Sequence, residues 1–434
     1  METTDEHPCA PCRGVLSLIT LVSSIFSLLL GIGIILVGSG FLGTVLGMRA
    51  TLEHFSEVVT GLVMSAYFLG FIVGAYLCPP LINRVGHIRS FAAMAAVASA
   101  AILTHAMVID PWAWAALRLI TGLCSVGLYM VIESWLNAQA SNQQRGRIFA
   151  LYMTVNLLAM ALGQYLLLVN NVGTFVPFAL IAILFSLGLV PVALTRVVQP
   201  QPIATPALRL GQLFEKAPLG VIGTLTAGLL LGAFWGMGAV FGKGVGLSNA
   251  WIAAFMSATI LGGALLQLPI GRLSDSRDRR RVLLAVSIAG AAAAVAAYAV
   301  TPGVPVALVS CVFLYGGFMF PIYALSVAHM NDHLNAGEVL DATSGLLLTY
   351  GIGATLGPAA AGALMSAFGP RTLLLYFFAL LVVLAAVSRY YMGVRPPVPA
   401  EEQGEFVPMV RTSQAALEMH PGAEVEPELD LRHF

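Results

Sequence analysis

The sequence predicts an all-α integral membrane protein, with twelve transmembrane helices in two pseudo-symmetric six-helix bundles. Three observations lead there. Hydrophobic residues make up 58% of the 434-residue chain and charged residues only 10%, whereas a soluble domain carries roughly 25% charged residues. Apolar runs of about 20 residues, long enough to cross a bilayer core as a helix, recur along the chain. A short charged motif occurs twice, each time after the second of six apolar segments and before the third. Duplicated halves with matching polar loops point to paired helical bundles.

The twelve segments run near 17–47, 58–82, 90–109, 112–136, 148–169, 174–195, 219–242, 250–271, 282–300, 304–329, 340–366 and 371–392. Residues 1–16 form a leader. The first segment is too long for the apolar core of a signal peptide, and its flank, with Glu2, Asp5, Glu6 and Arg13, is not basic enough, so it is expected to be retained. Residues 17–195 and 219–392 are the two bundles. Between them, 196–218 reads as a linker, with Pro200, Pro202, Pro206 and Pro218 beside Arg196, Arg209 and Lys216. The tail, 393–434, carries Pro396, Pro397, Pro399 and many carboxylates, and is expected to be a mostly disordered acidic extension; Leu417 or Val425 could anchor a partner.

The net charge of +0 hides an asymmetry. With both termini in the cytoplasm, every lysine and arginine except Arg49, Arg118, Lys243 and Arg371 falls on the cytoplasmic side. Basic residues hold loops back from translocation, so both termini are expected on the cytoplasmic side of a bacterial inner (plasma) membrane. The basic residues sit in short loops between apolar segments, which argues against nucleic-acid binding. No G-x-x-x-x-G-K-[ST] loop is present, so ATP is not the expected energy source; no cofactor is expected, and a proton gradient could supply the work. Cys9 and Cys12 have a C-x-x-C spacing but too few neighbouring ligands for a metal site, and Cys78, Cys124 and Cys311 read as packing residues.

Segment 4 carries the sharpest functional candidates. Arg118, Gly122, Ser125, Tyr129 and Glu133 are spaced by four, three, four and four, and so share one helical stripe. Charges in hydrocarbon are costly, so Arg118 and Glu133 should face the bundle interior. They lie about 22 Å apart at ~1.5 Å per residue and cannot pair directly. Glu133 reads either as a proton-coupling carboxylate or as the structural partner of Arg84 or Arg89 in the adjacent loop. Arg118 reads as a cavity cation that binds an anionic group or tunes a proton site, or as a structural arginine on neighbouring carbonyls.

Other polar side chains fall at matching places in both halves: Asn156 and Gln164 in segment 5, Trp235 in segment 7, Gln267 in segment 8, and Tyr315, Tyr323 and Ser326 in segment 10. Each could orient a ligand in a mostly apolar cavity or hold two helices together. Gly228, Gly232 and Gly236 form a ladder that lets a neighbouring helix approach closely. Pro358 is expected to bend segment 11.

The repeated motif reads Asn83-Arg84-Val85-Gly86-His87-Ile88-Arg89 in its first copy and runs from Gly271-Arg272-Leu273-Ser274-Asp275 to Arg279-Arg280-Arg281 in its second. It resembles motif A of the major facilitator superfamily, G-x-x-x-D-R/K-x-G-R-R. The second copy matches at Gly271, Asp275, Arg279 and Arg280, with Asp278 where the second glycine is usual. The first departs more: Pro79 replaces the opening glycine, Asn83 the aspartate, and Ile88 is inserted. Arg118 to Gly122 resembles motif B, and Arg145-Gly146-Arg147 the R-G-R of the next loop. Gly353 to Pro358 resembles the antiporter motif C, displaced from segment 5 to segment 11. Glu133-Ser134-Trp135-Leu136-Asn137, Leu268 to Asp275 and Ala328-His329-Met330-Asn331-Asp332 resemble the YcaD-like branch.

The resemblance implies the major facilitator fold and a secondary transporter working by alternating access. Its partners are expected to be a small organic solute and the lipid bilayer, and its functional unit a monomer. Proton-coupled export is the leading expectation. Uptake or facilitated diffusion of a small metabolite, or a non-transporting sensor using the tail, are the alternatives. No catalytic residue is expected. An arginine-rich loop can bond carboxylates and helix-end carbonyls of its neighbours. A conformational latch holding the two halves together is therefore expected from Asn83, Arg84, Gly86, Arg89, Gly271, Asp275, Arg279, Arg280 and the helix-start Asp341; a merely solvated basic loop is the plainer reading.

Overall fold

The computed structural model describes residues 10–140, 144–169, 171–194, 200, 210–301, 303–335, 338–404, 406–409 and 413. They form α-helices and short 3-10 turns, with no strand among the described residues. Twelve spans are long and apolar enough to cross a membrane. The first six helices are α1 (Ala10–Leu52), α2 (Glu57–Val85), α3 (His87–Met107), α4 (Pro111–Gln139), α5 (Arg145–Gln164) and α6 (Val176–Ala193). A short α7 (Leu210–Lys216) lies in the linker. The second half contains α8 (Pro218–Gly244), α9 (Asn249–Asp275), α10 (Arg279–Val300), α11 (Pro305–Met319), α12 (Pro321–Asn331), α13 (Val339–Phe368) and α14 (Thr372–Val394).

Helix starts follow ordinary capping chemistry. Ser56, Asp110, Ser248 and Asp278 each accept a backbone N–H from the first turn of α2, α4, α9 and α10, which satisfies donors that a helix leaves open. The tenth segment, expected as one helix, is two: α11 ends and α12 begins around Phe320. Pro321 has no N–H to give to the preceding turn, which interrupts the helix at Phe320 while the span continues. Pro358, in contrast, sits inside an α13 that runs unbroken.

The loops 85–87, 275–279 and 331–335 and the described tail residues share one end of the molecule, here called the basic face. Across the interface between the halves, α2 packs on α13, α5 on α9 and α1 on α8. Toward the opposite face these contacts are backbone-tight. A Cβ on Gly61 would collide with the Pro358 carbonyl, and one on Gly362 with the Glu57 carbonyl. Ser257 Oγ also donates to Ala161 O at 3.0 Å. The ladder of Gly228 and Gly232 in α8 meets Tyr350 and Ala354 of α13, within the second bundle.

The connecting segments are partly held against the bundles, and one expectation, that of a mostly disordered tail, needs correction in its described part. Part of the linker is the short helix α7, pinned by a 2.6 Å Lys216–Glu338 ion pair and by Arg395, which donates to Glu215 O at 2.9 Å. The tail is not solvated in its described part: Val407, Met409 and Ser413 are buried against the helices. A short apolar run there outweighs the surrounding prolines and carboxylates. Cys9, the remainder of the linker, and tail residues beyond 413, including Leu417 and Val425, lie outside the described residues.

Candidate functional site

A cavity of about 500 Å³ lies between the two halves, lined by Asn156, Leu157 and Met160 of α5, Leu231 and Trp235 of α8, Phe320, Tyr323 of α12, Leu347 and Tyr350 of α13, and Met409 of the tail. Its walls are mainly hydrophobic because α5, α8 and α13 are apolar nearly all round. Its polar groups are few and convergent. Tyr323 lies against Tyr350 with ring centres 5.1 Å apart. Asn156 Nδ2 and Tyr323 Oη are buried and have no hydrogen-bond partner among the described residues. Buried polar atoms are normally satisfied, so two of them lining one cavity mark a place for a ligand or water.

A second cavity of about 480 Å³ adjoins the first through Leu347 and Tyr350, and is lined by Phe68, Phe71 and Tyr76 of α2 and by Ser413. A third, smaller space holds Arg118 beside Tyr67, Ser39, Gly40, Gly43, Met160 and Trp235. The Arg118 side chain is 6% exposed, with its guanidinium 4.3 Å from the centre of the Tyr67 ring. The stripe on α4 packs on α2 through its middle, where Gly122 meets the Tyr67 backbone, and reaches the space beside Trp235 only at its Arg118 end. Tyr129, between the two ionisable groups, packs its ring against Phe71 at 6.0 Å.

Glu133 is fully buried. Tyr152 donates its hydroxyl to Glu133 Oε1 at 2.8 Å, and Ser413 N–H donates to Oε2 at 3.0 Å, with the Ser413 hydroxyl bonded to the same oxygen. The expected surface pairing with Arg84 or Arg89 is not what the structure shows: both arginines are exposed. Tyr152 precedes Asn156 by one helical turn on α5, so the carboxylate is one side chain removed from the cavity wall.

Three expected site residues have other work. Gln164 is enclosed by α1, with Nε2 donating to Gly40 O at 2.8 Å and Thr44 donating to its Oε1 at 2.5 Å. Tyr315 stacks on Phe377 of α14 at 4.9 Å, inside the second bundle and away from the cavity. Gln267 donates to Met409 O at 3.0 Å, so it contacts the tail. The residues missed were Tyr152, Tyr350, Met409 and Ser413. Tyr152 shares the stripe of Asn156 and was detectable by spacing; the tail residues carried no such signal.

The latch residues divide by copy. Arg279 is almost wholly buried: Nε donates to Asp332 at 2.7 Å, Nη1 to Ser274 Oγ at 2.9 Å and to Asp275 at 3.2 Å, and Nη2 to Gly404 O. Arg280 bonds Asp278 at 2.8 Å and the carbonyls of Tyr391 and Arg395 at the end of α14. The Phe406 ring lies on Gly271, where a Cβ would collide with it. All these partners belong to the second half or the tail. The expected clasp between halves is thus, in this state, a clasp within one half, because the aspartates within reach are at the end of α9, just after α12 and in the α9–α10 turn. Asp341 is exposed in the first turn of α13. Asn83, Arg84 and Arg89 are also exposed, and Gly86, with φ 94°, only turns the chain from α2 into α3. No group of three or more metal-ligating side chains is found among the described residues.

Comparison with known proteins fits this arrangement. The family model described as Major Facilitator Superfamily matches residues 21–263 and 220–418. The "Uncharacterized MFS-type transporter YcaD" of Escherichia coli O7:K1 is 30% identical over 380 residues, covering 86% of this chain and 95% of the relative. Its counterpart in Escherichia fergusonii is 29% identical over 372 residues, covering 84% and 93%. Among solved structures, the nucleoside transporter NupG superposes with a TM-score of 0.70 at 17% identity, covering 84% of this chain and 98% of that one. A bacterial homologue of the human lysosomal transporter Spinster, in an inward-facing and occupied conformation, also gives 0.70, at 14% identity and 88% and 97% coverage. With both halves matched and the relatives aligned over nearly their whole length, this twelve-helix chain belongs to the major facilitator superfamily and is a secondary membrane transporter.

Proposed function

We propose that the protein exports a small, largely apolar organic solute by alternating access, coupled to protons through Glu133. The observation that carries this reading is the central cavity: hydrophobic walls contributed by both halves, with Asn156 and Tyr323 on the wall and the Tyr323 hydroxyl without a hydrogen-bond partner among the described residues. Such a lining suits a solute with an apolar body and one or two hydrogen-bonding groups, in the size range usual for pockets of about 300–1,000 Å³. A solute of that character crosses bilayers unaided, so a carrier does more for its removal than for its entry. Glu133 supports coupling because a buried carboxyl can exchange a proton. Tyr152 ties it to the helix that carries Asn156, so loss of one bond can be felt at the other. Arg118, against Tyr67 at the closed end, supplies a fixed positive charge on the same helix.

The basic face is taken as cytoplasmic, from the distribution of its arginines. The test begins with a thermal-shift screen of neutral and weakly basic amphiphiles on purified protein, since a ligand that binds the native state raises its melting temperature. Hits go into proteoliposomes with an imposed pH gradient. Wild type is expected to drive uphill flux with the gradient. Glu133→Gln is expected to keep substrate exchange and lose gradient-driven accumulation. Unaltered gradient dependence in Glu133→Gln would remove Glu133 from the mechanism. Downhill flux of a polar metabolite alone, indifferent to pH, would favour facilitated uptake.

A further inference from the structure

We infer that the described tail residues Gly404, Phe406 to Met409 and Ser413 act as an internal plug, which docks in the mouth of the cavity on the basic face and must leave before a solute can pass. The inference does not depend on which solute is carried or on whether Glu133 moves protons. It rests on where the described tail residues sit and what they hold.

The docking runs in order from one half to the other. Gly404 is gripped on both sides: its carbonyl accepts from Arg279, and its N–H donates to Asp332 at 3.1 Å. Phe406 N–H donates to Asp275 at 2.8 Å, and its ring covers Gly271, a position whose lack of a side chain makes room for it. Met409 is buried, and its carbonyl takes the Gln267 amide at 3.0 Å. Ser413 is buried and ends on Glu133 of the first half. The described tail residues are therefore held by α9, by Arg279 of α10 and by Asp332 just after α12 at one end, and by Glu133 of α4 at Ser413, so they contact both halves on the basic face.

The placement also blocks a path. Met409 forms part of the wall of the central cavity and Ser413 part of the adjoining one. The opposite face is already closed by the backbone contacts of Gly61 with Pro358 and of Gly362 with Glu57. With the plug seated, both ends of the cavity are shut, and the chain itself completes the occluded state. The groups it uses are those the sequence marked for other tasks. Asp275 and Arg279 of the repeated motif hold the plug, and Glu133 is satisfied by a serine of the same chain. A solute or proton that claims Glu133 competes with Ser413, and the tether keeps the segment close enough to return.

A test independent of substrate uses cysteine accessibility in lipid nanodiscs. In a background with the five natural cysteines replaced, Leu347→Cys places a thiol in the wall shared by both cavities. A hydrophilic fluorescein maleimide is expected to label this thiol at least tenfold faster when residues 405–434 are deleted. A synthetic peptide spanning residues 403–415 should slow labelling of the deleted protein again. Phe406→Ala with Ser413→Ala in the full chain should give an intermediate rate. Equal labelling of full and shortened chains would overturn the plug. Should the shortened chain fail to fold, the pair Gln267→Cys and Met409→Cys decides by itself. Rapid oxidative cross-linking that also suppresses Leu347→Cys labelling is expected; no cross-link, or a cross-link that leaves labelling unchanged, would overturn it.

Discussion

The loop between α2 and α3 and the loop between α9 and α10 occupy matching positions in the two halves, yet they treat their arginines in opposite ways. In the first, Arg84 and Arg89 are exposed and the turn depends on Gly86. In the second, Arg279 and Arg280 are buried, spread over three aspartates, several carbonyls and the tail. Two charge differences run through the comparison: Asn83 stands where the second loop has Asp275, and the second loop adds Asp278. A basic loop with no carboxylate has no internal partner worth the desolvation of its guanidinium groups, so it stays at the surface, where it can orient the chain in the membrane. A loop with its own aspartates can bury its arginines and become a structural joint. Sequence duplication has preserved the position of the loop and not its work.

The largest difference expected is in stability. Arg279→Ala leaves Asp332 buried without its ion pair and strips Asp275, Ser274 and Gly404 of a donor. A loss of about 3–5 kcal/mol is expected, as for other buried pairs broken on one side. Arg84→Ala should stay within about 0.5 kcal/mol, as for a surface substitution away from any network. Denaturation of both variants in the same detergent checks the contrast. Comparable losses would show that the first loop is also a joint.

Legibility followed the same division. The twelve spans and their pairing could be read because apolar length and repetition survive in sequence. Asn156, Trp235 and Tyr323 could be named from polarity in apolar helices. Which side they faced could not, since helices apolar all round carry little directional signal. That is why Gln164 and Tyr315, chosen on the same grounds, turn out to serve α1 and α14. Glu133 was assigned Arg84 or Arg89 as a partner, and its neighbours are Tyr152 and Ser413. Its partner Tyr152 was within reach of a spacing argument, but Ser413 was not. Two apolar pairs, Phe406-Val407 and Met409-Val410, split by Pro408 and set among acids, look like a solvated tail until a cavity exists for them to fill.

The second difference is in pH response, and its sign depends on which aspartate dominates. Burial pushes the Asp278 carboxyl up, but the hydrogen bonds and charge of Arg280, with help from Arg281, leave it below its ordinary value. Burial also pushes Asp332 up, and there it outweighs the charge and hydrogen bond of Arg279. A lowered carboxyl adds stability above the unfolded value of about 3.9 and loses it as pH falls through the folded value. A raised one adds stability below the unfolded value and loses it as pH rises through the folded value. Between about pH 6 and 3, Asp278→Asn should therefore flatten the acid-side loss seen in wild type, and Asp332→Asn should steepen it. Melting temperatures across that range would show it. Shifts of the same sign in both variants would mean that the two carboxyls titrate as one unit with the arginines.

The smallest effect expected comes from restoring the missing charge. Asn83→Asp gives the first loop the carboxylate that its counterpart has at Asp275. If the aspartate alone made the joint, this change would draw Arg84 or Arg89 inward and stabilise the protein. Three features argue against that. Asn83 is exposed near the end of α2, where a negative charge meets the negative end of the helix dipole. Any pairing with an exposed arginine is screened, and such pairs contribute about 0–1 kcal/mol. The second loop also relies on Asp332 and on the tail carbonyl of Gly404, and neither arrives with one substitution. The net change should stay within about 0.5 kcal/mol, and insertion topology should not move, because acidic residues contribute little to it. A stabilisation above about 1 kcal/mol would show that the first loop is a joint lacking only its aspartate, and the contrast between the halves would then reduce to one residue.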